Sequence, residues 1–187
     1  MTNKEILDIA MQQSAYDLNA KVSDFLMDTN VIVKSEIGPL AKKYYEEPIA
    51  CNFISYGNNI VASVKEEYRE IVKRYLSKYE FYHCFETPNM HWFDERMKEN
   101  GYRICFMAEY FLPDVNVLKR RECNYQFKVL EQKDFADLYL PTWSNALCEG
   151  RKQLDILGVG AYDNEKLIGL AACSADCDDM WQIGVDV

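Results

Sequence analysis

The sequence predicts a mixed α/β chain of the α+β kind, with largely antiparallel sheets flanked by helices. Three observations predict it. Short β-branched and aromatic runs come in pairs around tight turns, as at 51–56 and 60–64. Apolar residues recur at helical spacing behind capping residues, as at 2–19 and 63–79. A polar, basic, aperiodic stretch at 114–123 separates these elements from a second set at 124–187.

The elements follow in order. Thr2 and Glu5 form a capping-box pattern, and Ile6, Leu7, Ala10 and Met11 give a helical stripe, so a first helix runs to about Asn19. A short helix is expected at 23–27 and a strand at 31–33. Gly57-Asn58-Asn59 tolerates positive φ and joins 51–56 to 60–64 as a hairpin. Ser63 with Glu66 reads as a second capping box, opening a helix whose inner face carries Val64, Tyr68, Ile71, Val72, Tyr75 and Tyr79. Glu66, Glu70, Lys73 and Arg74 fall on its outer face. A strand is expected at 81–85. Thr87-Pro88 then starts a helix that directs Phe93 and Met97 inward and ends at the left-handed position of Gly101. Residues 102–111 read as a strand stopped by Pro113.

The domain boundary is placed in the linker 114–123, between a domain at 1–113 and a second at 124–187. In the second, a strand at 125–130 precedes helices at 133–139 and 142–148. Three strands follow, at 157–162, 166–173 and 180–187, around turns at Asp163-Asn164-Glu165 and Asp178-Asp179.

Composition narrows the function. The chain has 187 residues, of which 49% are hydrophobic, enough for a packed core. A net charge of −9 argues against nucleic acid, and Lys119-Arg120-Arg121 reads as a solvated linker. No apolar run is long enough to span a membrane, and the N-terminus has no signal-peptide core, so a cytoplasmic location is expected. Seven cysteines without a CxxC spacing point to reduced thiols and not to a zinc site. His83, Cys84, Glu86 and His91 lack metal-ligand spacing, and satisfied structural histidines are the simpler reading.

The stretch Gly158-Val159-Gly160-Ala161-Tyr162-Asp163-Asn164-Glu165-Lys166-Leu167-Ile168-Gly169 resembles the second and third strands of the GNAT superfamily of N-acetyltransferases. Met180-Trp181-Gln182-Ile183-Gly184-Val185-Asp186-Val187 resembles the fourth. The resemblance covers 124–187. It implies transfer of an acetyl group from acetyl-CoA to a small-molecule or peptide amine. It also implies that the backbone of Val185, Asp186 and Val187 pairs with the pantetheine arm, as an added strand would. In the family a glycine-rich turn after the fourth strand holds the CoA pyrophosphate. The sequence ends before that turn, so the expectation is weak binding of acetyl-CoA and an isolated chain that is inactive alone. A non-catalytic binding or interaction protein is the alternative.

The resemblance makes Asp186 the candidate base, with a solvent-facing strand residue as the competing reading. Trp143, Asn145 and Cys148 fall where the family's acceptor pocket lies, and core or surface packing is the simpler role. Cys173 and Cys177 lack a histidine to activate them in this half and read as inert packing. The first domain carries a fainter resemblance, in element order and in a late helix ending at Gly101-Tyr102. On that reading it is a degenerate copy whose Glu66 and Glu67 repel a pyrophosphate. Without the family's later strands, Leu167, Leu170, Ile183 and Val185 lose their cover. Homo-oligomerisation through the C-terminal half is therefore expected.

Overall fold

A computed structural model describes all residues, Met1–Val187. It is a mixed α/β structure with three α-helices and two sheets, each sheet belonging to a separate compact unit. Unit 1 comprises Met1–Ala41 and Tyr45–Asn116, and unit 2 comprises Lys42–Tyr44 and Val117–Val187.

Unit 1 opens with helix α1, Asn3–Leu18. Its capping box forms as the sequence predicts: the Glu5 N–H donates to Thr2 Oγ1 and the Thr2 N–H to Glu5 Oε2. Asn19 ends the helix in the left-handed conformation, φ +57°. A 3-10 turn, Val22–Leu26, leads to strand β1, Val31–Lys34. The expected hairpin forms between β2, Cys51–Ile54, and β3, Val61–Val64, with Gly57 at φ +90°. β1 pairs parallel to β3, so β3 is central and entirely buried. Its alternation divides the core. Val61 packs with Ala15, Leu18 and Phe25 of the α1 layer. Ile60, Ala62 and Val64 face helices α2, Arg69–Lys78, and α3, Thr87–Lys98. There Tyr75 and Phe93 stand 4.9 Å apart, centroid to centroid.

Four expectations fail in this unit. Ser63 is no cap. It is buried in β3, and a 3-10 turn, Glu66–Tyr68, precedes α2, which has no side-chain cap. Thr87 lies inside α3, whose N-cap is Glu86. Residues 81–85 form no strand, because side chains take their carbonyls: Tyr75 Oη donates to Cys84 O and Asn89 Nδ2 to His83 O. Residues 102–111 also form no strand, because no sheet edge of the unit receives them. Ile104 N–H donates instead to Asp94 Oδ1. The close of α3 is as expected. Gly101, at φ +80°, donates to Lys98 O while Tyr102 donates to Met97 O, the paired bonds of a Schellman motif.

Unit 2 is an antiparallel meander in the order β4-β5-β6-β7, of strands Gln126–Glu131, Asp155–Asp163, Lys166–Ser174 and Gln182–Asp186. Asn164, at φ +55°, makes the β5–β6 turn. One face is covered by the connection 132–154, which contributes Phe135, Trp143, Ala146 and Leu147 to a core with Leu130, Leu170 and Ala172. The expected helix pair at 133–139 and 142–148 is absent. Only 3-10 turns occur, at Gln132–Asp134, Pro141–Trp143 and Glu149–Leu154. Pro141 breaks the run, and carboxylates from the strands take N–H groups that a helix would use.

Candidate functional site

The end of β7 and the connection 143–148 do meet. Their contact depends on Gly184. A Cβ built there would lie 1.7 Å from the Asn145 carbonyl oxygen, so only glycine lets the turn press onto the strand. Two residues further on, Asp186 closes the contact. Its Oδ2 accepts from the N–H groups of Asn145 (3.0 Å) and Ala146 (2.9 Å). Its Oδ1 accepts from Asn145 Nδ2 at 2.6 Å.

Burial alone would raise the Asp186 pKa. The bonds from Ala146 and Asn145 outweigh it and hold the carboxyl below its ordinary value. A carboxylate so committed is a capping and positioning group for the turn, and a depressed pKa makes it a poor proton acceptor. It is half-buried on the packed face, which matches neither a free base nor a solvent-facing residue. Val185 and Val187 are exposed, Trp143 is buried in the core, and Asn145 is tied to Asp186.

Cys148 belongs to a second cluster, one that sequence reasoning missed. Its N–H donates to Asp155 Oδ2 (3.0 Å), and its Sγ accepts from Arg151 Nε (3.3 Å). Arg151 also reaches Asp176 Oδ2 at 3.3 Å and stacks 4.1 Å from the Tyr44 ring centroid. Ser174 Oγ donates to Asp176 Oδ1 at 2.6 Å. Asp155 and Asp176 are both almost wholly buried. Burial raises the Asp155 pKa against the opposing bonds from Cys148 and Tyr139. Burial, with the Asp155 charge, pushes the Tyr139 phenol up to about 12. The only sequence signal for the cluster is acidic residues at the start of β5 and just beyond β6, where solvation would be the usual reading.

The remaining candidates lie apart. Cys173 is buried, its thiol pushed up by burial, and Cys177 is buried as well. All seven cysteines are free thiols. His83 Nδ1 lies 2.7 Å from Glu86 Oε1, and no group of three His, Cys, Asp or Glu side chains is placed to hold a metal ion. In unit 1, a polar cleft of about 420 Å³ runs between Asp28–Asn30 and Leu76–Phe81 and shares no residue with the site. No helix is long and apolar enough to cross a membrane. No protein-family model matches the sequence, and no curated protein or solved structure is significantly similar to it.

Proposed function

We propose that unit 2 is part of an acetyl-CoA-dependent N-acetyltransferase fold, in which the exposed edge of β7 receives the pantetheine arm. One observation carries the reading: β7 pairs only with β6, so the main-chain groups along its other side, up to Val185–Val187, have no strand partner. A pantetheine amide chain added there satisfies those groups as a fifth strand would. The reaction joins an amine nitrogen to the thioester carbon. The carbon–sulfur bond breaks, the amine proton passes to a base, and the CoA thiolate takes a proton. In this reading Asp186 fixes the strand end and its turn, and Asn145 and Trp143 border the acceptor side. Asp186 is therefore proposed as a positioning residue and not as the base. The tandem reading of the first domain has less support, because two of the strands in its element order, at 81–85 and 102–111, are absent.

The test is NMR titration of the full chain with acetyl-CoA and, separately, with pantetheine. Saturable amide shifts at Gly184–Val187 are expected at millimolar ligand, similar for both. Absence of shifts there, or a low-micromolar isotherm whose shifts map elsewhere, overturns the proposal.

A further inference from the structure

The unit 2 sheet has two unlike faces. Register sets Leu130, Gly158, Ala172 and Gly184 in one row, under the covering connection. The neighbouring row, Val129, Val159, Ala171 and Val185, points the opposite way. It is flanked by the row Glu131, Leu157, Cys173, Ile183 and by the row Phe127, Ala161, Gly169. Leu170, expected from the sequence to share this face with Ile183 and Val185, is buried on the covered side, and Leu167 packs there too. On the open side Val129 and Ile183 are 69% exposed, Val185 57% and Phe127 56%. Glu131, at the end of β4, is the one charged side chain in those three rows, and Lys133 pairs with it at 2.7 Å.

The relief of this face is specific. Gly169, Ala171 and Cys173 make β6 a shallow trough. Ile183 and Val185 make the adjacent β7 a ridge, one strand spacing of about 4.8 Å away. A ridge beside a trough is self-complementary. A twofold axis along the strands sets each copy's ridge over the other's trough, as an isologous interface requires. The exposed side chains present on the order of 600 Å² of apolar surface. Two stacked copies would then bury about 1,200 Å², the lower end of the range for specific interfaces. The chain carries a net charge of −9, so two copies repel least across this face, where the one carboxylate, Glu131, is paired with Lys133.

We infer that this open face is a homodimer interface, with two copies stacked sheet to sheet through Val129, Val159, Ile183 and Val185. The inference is independent of the acetyl-transfer reading, because face stacking leaves the outer edge of β7 free. It is tested by sedimentation of the full chain over a concentration series, at low and at high salt. A dimer is expected, and it tightens with salt as like-charge repulsion is screened. Val185→Arg and, independently, Val159→Arg should each weaken association at least tenfold with the circular dichroism spectrum unchanged. Lys128→Glu, on the covered side of β4, should leave it intact. A wild-type monomer at high micromolar concentration overturns the inference. So does a dimer that survives both arginine variants, which would place association at a strand edge or in unit 1.

Discussion

Asp186 holds the 145–146 turn through three hydrogen bonds to one carboxylate, and that gives it a definite pH signature. Its folded pKa lies below the ordinary 3.8, so it contributes stability above that value and loses it as pH falls through the folded pKa. Asp155 has the opposite sign. Its folded pKa is raised, so the protonated form favours folding, and stability declines as pH rises from 3.8 through the folded value. Asp186→Ala should cost unit 2 about 1–2 kcal/mol at neutral pH, the usual loss for a capping carboxylate. The cost should shrink at an acid pH below the folded pKa, where the wild-type carboxylate is itself protonated. Urea unfolding of both proteins at the two pH values measures it, and a pH-independent difference would count against the capping role.

Among the elements, several of those legible in the sequence are held by neighbours in sequence. The Thr2–Glu5 box, the β2–β3 and β5–β6 hairpins and the Gly101 helix stop each complete their chemistry within a few residues. Those misread depend on distant partners. Residues 102–111 have strand composition but no edge to pair with. Residues 133–148 have helical spacing, yet Asp155 and Asp186, from other strands, take their N–H groups. The same division applies at the site. The β7 edge was legible from the strand pattern, whereas the Arg151–Asp155–Asp176 cluster is assembled from segments that no local pattern links. A segment outside both sheets and every helix should also be the first to be cut. Phe106, Tyr110 and Phe111 are exposed on irregular backbone, so limited chymotrypsin digestion should nick 106–111 before any site in β5 or β6. Mass spectrometry of the first fragments decides it, and initial cleavage within the meander would contradict this account.

At the scale of the whole molecule, each unit has its own core, so damage to one should not propagate fully to the other. Gly184→Ala is the sharpest probe, since the new methyl would overlap the Asn145 carbonyl. We expect it to destabilise unit 2 by about 3 kcal/mol, at the upper end for overpacking. Calorimetry of the wild type should resolve two thermal transitions, of which the variant lowers one. A single transition lowered as a whole would show that the units unfold together. The Asp186 contact also orders events during synthesis. The turn at 145–146 leaves the ribosome before β5, β6 and β7, yet its cap lies 41 residues downstream. While β5 and β6 are being paired, the nascent chain must carry that turn unfixed, with its N–H groups in water. It becomes fixed only when the last strand has been made, so an early segment of the unit is among the last to reach its final form.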